Sequence, residues 1–304
     1  MSHGIRHLLR VGRNTGHLDR ALAFYCDALD FRLDGVSNEP PAWTRLPGVD
    51  AIPSRYARLS LGAQQIELTE YLDVEPYPAN STSCDLWFQH GAIVVNDMDA
   101  AFGRAMRCGA IPITRSGPQL LPPSSGSVTA FKFRDPDGHP LELLGFPPGA
   151  GDPIWQKPQS TQPTLGIDHS ALSVGDVERS IRFYELLGLH VVARSVNRGT
   201  EQQRLDALAD VEVDVIAMQP AASRTPHLEL LGYRKPRGRT APSTPITAVA
   251  RDRLIWRVDA IDVLLDAITD ADNADAIIAT RRGADHALLR DPDGHLHILT
   301  ATEL

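Results

Sequence analysis

Between Ile167 and Val174 the run IDHSALSV is rich in β-formers, and Asp176 then stands where a helix N-cap belongs. Val177, Ile181, Tyr184 and Leu187 follow at helical spacing, and Leu187-Gly188 supplies a stop. Three strand-like runs come next, HVVARSV, VEVDVIAM and HLELLGY, with polar segments between them. The pattern predicts a unit of one strand, one helix and three strands. On its first strand, alternation puts His169 on one face with Ile167, Ala171 and Ser173, and turns Leu172 and Val174 toward the helices.

The unit recurs. GHLDRALAFY, ending at Tyr25, returns as GDVERSIRFY, ending at Tyr184, and QIELTEY (65–71) returns as HLELLGY (227–233). FKFRDPDGHPLEL, from Phe131, returns as ALLRDPDGHLHIL near the end of the chain. QHGAIVVNDMDAAFGRAM (89–106) has the same strand-then-helix shape. Four units result, over 5–71, 86–146, 166–233 and 252–300, and self-similarity of this kind fixes the fold before any single element does. The Asp-Pro-Asp-Gly runs read as hairpin turns, Pro setting φ and Gly accepting positive φ. By halves, the chain divides into domains at 1–146 and 166–304, with a Pro- and Gly-rich linker at 147–165 and a second such stretch at 234–245.

Composition narrows the function classes. The 304 residues are 42% hydrophobic, which suits a folded core, and their net charge of −8 disfavours a phosphate-backbone partner. No run approaches the roughly 20 apolar residues of a membrane span. Three cysteines without C-x-x-C spacing fit a reducing, cytoplasmic setting in which they serve as packing residues.

Four βαβββ units, F-Y at the helix end, D-P-D-G-H before a closing strand and Glu in an x-E-L strand together resemble the vicinal oxygen chelate superfamily. That group contains glyoxalase I, extradiol dioxygenases and the bleomycin resistance proteins. The resemblance covers nearly the whole chain and implies an α+β fold, four βαβββ modules pairing into two half-barrel cups. It further implies metal ligands on the first and last strand of each unit. Aligned without gaps to the helix, those positions hold Arg10 and Glu67 in unit one, His90 and Glu142 in unit two, His169 and Glu229 in unit three, and Arg253 and Ile298 in unit four.

Pairing two with three gives one complete set, His90, Glu142, His169 and Glu229, and leaves a cup of Arg10, Glu67, Arg253 and Ile298 that no divalent cation would choose. A competing alignment takes His7 as the unit-one ligand and places the metal on His7, Glu67, His90 and Glu142. In either case the resemblance implies one divalent metal (Fe, Mn, Co, Ni or Zn), because imidazole and carboxylate suit such ions and buried carboxylates without a cation cost several kcal/mol each. His139, His295 and His297 fall on the opposite strand faces and are left out of the site.

The implied partner is a small molecule with two adjacent oxygens, with a homodimer as the open assembly option. The implied chemistry is a glyoxalase-like isomerisation or lyase reaction through an enediolate, with Glu142 or Glu229 as base and His227, on the face of Glu229, as a proton-transfer group. Ring cleavage at Fe(II) on two His and one carboxylate is the alternative, and a non-catalytic small-molecule binder is a third reading. In the polar segment 195–208, expected as a loop, Asn197, Arg198, Gln202 and Arg204 are the candidate substrate contacts. Segment 118–127 reads as a lid or a surface turn.

Overall fold

A computed structural model describes residues 4–49, 52–156, 162–240, 243–271, 273, 276–281 and 283–302. Unit one comprises β1 (Ile5–Thr15), α1 (Leu18–Leu29), β2 (Arg32–Ser37), β3 (Arg55–Leu61) and β4 (Gln64–Glu70). Unit two comprises β5 (Gln89–Val95), α2 (Met98–Arg107), the short β6 (Ile111–Pro112) and β7 (Gln119–Leu120), then β8 (Thr129–Arg134) and β9 (Pro140–Gly145). Unit three comprises β10 (Thr164–Ser173), α3 (Val177–Leu186), β11 (Leu189–Arg198), α4 (Thr200–Asp206), β12 (Glu212–Pro220) and β13 (His227–Lys235). Unit four comprises β14 (Arg253–Val258), α5 (Ile261–Asp270), β15 (Ile277–Thr280), β16 (His286–Arg290) and β17 (Leu296–Thr300). The α+β class is as read from the repeat. No helix among the described residues is long and apolar enough to cross a membrane.

Two sheets form, and each takes one unit from each half of the chain. One has the order β15-β16-β17-β14-β1-β4-β3-β2, joining units four and one; the other runs β11-β12-β13-β10-β5-β9-β8-β6, joining units three and two. Both seams are antiparallel pairs of first strands, β1 with β14 and β5 with β10. One apolar cluster packs the helices against both sheets, with Phe24, Tyr25, Phe131, Ile181, Tyr184, Trp256 and Leu264 among its members.

The two repeated motifs meet each other. The Tyr25 hydroxyl at the end of α1 donates to Asp135 Oδ2 (2.9 Å), and Tyr184 at the end of α3 donates to Asp291 Oδ2 (2.8 Å). Each Asp-Pro-Asp-Gly turn, with φ of +99° at Gly138 and +102° at Gly294, also hydrogen-bonds its own backbone through Asp135 or Asp291 Oδ1. The F-Y and D-P-D-G signatures are therefore one buried device used twice, tying units one to two and three to four while the sheets pair the other way. His139 and His295 belong to it, since their Nε2 atoms meet the carbonyls of Asn14 (2.7 Å) and Ser173 (3.0 Å).

Two expectations change. The segment after β11 is not a loop between strands: Gly199 (φ +97°) turns the chain and Thr200–Asp206 forms α4, with Gln202, Leu205 and Asp206 buried on one face. Alternation along β10 is also broken. A register shift between Ile167 and His169 sends Ile167 into the main core with Leu172 and Val174, while Ala171 joins a separate cluster. Of the 147–165 linker, Pro153–Gln156 is a 3₁₀ turn with Trp155 buried, and residues 157–161 lie outside the described residues.

Candidate metal centre

At the seam of the nine-stranded sheet, β10 and β5 run antiparallel with His169 opposite Ala92 and Ala171 opposite His90. Their rings therefore share a face, with centroids 5.8 Å apart. The closing strands lie alongside in parallel register, Glu142 opposite Ala92 and Glu229 opposite Ala171, so each Glu sits beside the residue two beyond its unit's His. The eight-stranded sheet repeats this register, Glu67 opposite Gly12 and Ile298 opposite Ile255, which puts Arg10 and Arg253 at the histidine positions. The quartet with His7 does not form. His7 pairs with Arg257 and, with Glu67, lies in the eight-stranded sheet, whereas His90 and Glu142 lie in the other.

His90, Glu142 and His169 bring one ligand atom each to within 4.8 Å of one another, and all three are buried. His90 Nε2 stands 2.8 Å from Glu142 Oε2. Glu229 stands apart from this trio, reaching His169 Nε2 at 3.4 Å and His227 Nε2 at 3.7 Å. The bulge in β10 brings Asp168 to the same place, its Oδ2 being 3.0 Å from His169 Nδ1 and 3.8 Å from His227 Nδ1. Asp168 Oδ1 accepts from Trp155 Nε1 at 2.7 Å, so the segment joining the two halves braces a histidine of the site.

A buried lysine–aspartate pair adjoins the trio. Lys132, opposite Glu142 on the β8–β9 hairpin, donates to Asp206 Oδ1 at 2.6 Å, and Asp206 also accepts from Gln202 at 2.8 Å. Counting the hairpin outward from its Asp-Pro-Asp-Gly turn would have placed Lys132 beside Glu142. Nothing in the sequence announces Asp206, which α4 delivers from unit three. Of the candidate substrate contacts, Gln202 reaches the site through Asp206, and Asn197 accepts from Ser125 (2.9 Å) in segment 118–127. Arg198 and Arg204 are exposed, with no hydrogen bond or ion pair to the site, because strand alternation and the α4 period turn them outward.

Electrostatics separate the two histidines. Burial, outweighing the contact with Glu142, holds His90 below its ordinary value and so neutral. Burial opposes charge on His169 as well, but Glu229 and Asp168 prevail and raise it to about 9. Glu229 is lowered to about 2, burial being outweighed by His169 and His227. Glu142 is also lowered, burial yielding to Lys132 and His90, and Lys132 is raised because Asp206 and Glu142 overcome its burial.

The residues fit a divalent cation. Four carboxylates, Glu142, Asp168, Asp206 and Glu229, converge on Lys132 and the histidines, leaving an excess of negative charge that a cation would balance. His169 Nε2 and His90 Nδ1 are buried without a hydrogen-bond partner among the described residues. With its Nδ1 held by Asp168, His169 has the orientation that carboxylate-braced metal ligands show, and a metal would displace its proton. The other cup has no such vacancy for charge: Arg253 meets Glu67 at 3.3 Å, Arg10 lies 3.9 Å from the same carboxylate, and Ile298 packs with Ile255 and Trp43.

Comparison with known proteins agrees with this architecture. The profile of the Glyoxalase/Bleomycin resistance protein/Dioxygenase superfamily matches residues 4–143 and 166–298. A lactoylglutathione lyase, GLX1 of Arabidopsis thaliana, is 26% identical over 196 residues, which span 62% of this chain and 57% of that protein. The crystal structure of glyoxalase I from Zea mays superposes with a TM-score of 0.64 at 20% identity, covering 97% of this chain and 92% of that one. A Bacillus subtilis protein whose name proposes a dioxygenase superposes with a TM-score of 0.58 at 13% identity over 98% of this chain and 86% of its own.

Proposed function

The chain belongs to the glyoxalase/bleomycin resistance protein/dioxygenase superfamily, and from that premise we propose that its units two and three form a metal-dependent active site that isomerises a small molecule bearing two adjacent oxygens. The observation that carries the reading is the buried trio of His90, Glu142 and His169. These three would hold one divalent ion of the Fe, Mn, Co, Ni or Zn group, with Glu229 as an occasional fourth ligand. Such an ion supplies Lewis acidity toward the two substrate oxygens.

The remaining steps belong to the chain's own groups. Glu229 is the base: it stands outside the compact trio and has a neighbour in His227 at 3.7 Å to share the proton. It would take a proton from the carbon beside the two substrate oxygens and return it to the adjacent carbon. Lys132 lies opposite Glu142 and holds it anionic, the form that ligates. Trp155 and Asp168 fix the His169 ring.

The test is carbon-bound proton exchange in D₂O, followed by NMR, over a panel of α-hydroxycarbonyls and hemithioacetals with protein reconstituted separately with Ni, Co, Zn and Fe. Deuterium entering the substrate carbon anaerobically, lost in Glu229→Gln while metal content persists, supports the reading. Oxygen uptake with catechols and no exchange overturns it in favour of ring cleavage.

A further inference from the structure

The cup of units one and four contains a cavity of about 200 Å³ lined by Arg10, Trp43, Tyr56, Arg58, His286 and Ile298, among others. Its chemistry differs from that of the first cup. Arg58 lies opposite Glu67 on the β3–β4 ladder, the place Lys132 takes opposite Glu142. Lys132 has a buried carboxylate in Asp206; among the described residues Arg58 meets the hydroxyl (3.5 Å) and the ring face (5.8 Å to the centroid) of Tyr56, and no carboxylate lies within ion-pair distance of it. The Glu67 charge is already engaged by Arg253 and Arg10. Arg253 is further spent on Asn14 Oδ1 (2.6 Å), on Thr69 and on the face of Trp43, 4.7 Å from the ring centroid. One buried glutamate thus faces three guanidinium groups, the exposed Glu39 and Arg45 that also line the cavity carry opposite charges, and the half-buried Arg58 is the one left to a ligand.

The opposite wall is apolar. Trp43, Ile255 and Ile298 form one buried cluster, and Trp43 belongs to the 3₁₀ turn Ala42–Arg45 that lies over the strands. The volume is below the 300–1,000 Å³ typical of drug-sized ligands, so the occupant is a single small ring or short chain. A guanidinium prefers a carboxylate that it can grip with two donors.

We propose that this second cup is a metal-free binding site for a small organic carboxylate, its anionic end on Arg58 with Arg10 behind it and its apolar body against Trp43 and Ile298. The cup therefore kept its concavity and exchanged a cation for an anion as its guest.

The experiment uses the full chain and 4-fluorobenzoate as probe, read by ¹⁹F NMR titration. Saturable binding is expected in the unaltered protein and in His169→Ala, with affinity at least tenfold weaker in Arg58→Met and less reduced in Arg58→Lys. Fluorobenzene, which lacks the carboxylate, should not compete. Absence of binding on the order of 10 mM probe, equal affinity in Arg58→Met, or loss of binding in His169→Ala, which would assign the probe to the other cup, each overturns the proposal.

Discussion

His139 carries a prediction that the structure makes quantitative. Its buried ring has Nε2 2.7 Å from the Asn14 carbonyl and Nδ1 2.9 Å from Asp252 Oδ1, so a protonated imidazolium there forms an ion pair with the Asp252 carboxylate. Burial works against that charge, but Asp252 and Asp135 raise the group from 6.5 to about 9. A folded-state value above the unfolded one means that the stabilisation is complete below pH 6.5 and is lost as pH climbs through 9. The interval is worth about 3 kcal/mol, lost at up to about 1.4 kcal/mol per pH unit. His139→Gln removes the term. Urea denaturation of both proteins from pH 6 to 10, followed by tryptophan fluorescence, gives the difference in unfolding free energy at each pH, and titrations common to both cancel. The difference should be largest near pH 6 and shrink by about 3 kcal/mol toward pH 10. A difference that stays constant across this range would refute the imidazolium assignment.

Three further outcomes follow from the buried contacts. Asp206→Asn leaves Lys132 without its carboxylate and should cost roughly 3–5 kcal/mol in urea denaturation, with most of the loss recovered in Lys132→Met/Asp206→Leu; a double variant as unstable as the single one would contradict this. Tyr25→Phe and Tyr184→Phe should each destabilise by roughly 1–3 kcal/mol, because each hydroxyl donates to a buried aspartate and has a second buried partner, Arg13 for Tyr25 and His297 for Tyr184. Trp155→Phe removes the donor to Asp168 and should weaken metal affinity about tenfold in a competitive chelator titration, without changing stoichiometry.

The sequence made the fold legible because the repeat is carried by residues with fixed geometric tasks. Tyr25 and Asp135, like Tyr184 and Asp291, recur together since they bond to each other. Counting back from the helix located Arg10, His90, His169 and Arg253 at one register because the four first strands lie against their closing strands in the same way. What stayed hidden came from tertiary contacts that periodicity does not encode. Asp168 enters the site only because β10 bulges beside it, which simple alternation cannot foresee. Asp206 and Trp155 reach the site from a helix hidden in a polar segment and from the stretch between the halves. Arg198 and Arg204 have the right chemistry for a substrate anion but are aimed outward, which residue type alone does not reveal.

The first cup is read as one divalent ion on His90, Glu142 and His169, and metal stoichiometry by plasma mass spectrometry measures that most directly. One equivalent per chain is predicted for the unaltered protein and for Glu67→Gln, and less than a tenth of an equivalent for His90→Ala and His169→Ala, in line with the affinity lost with a ligand. A full equivalent retained by both histidine variants, or lost with Glu67→Gln, would contradict it.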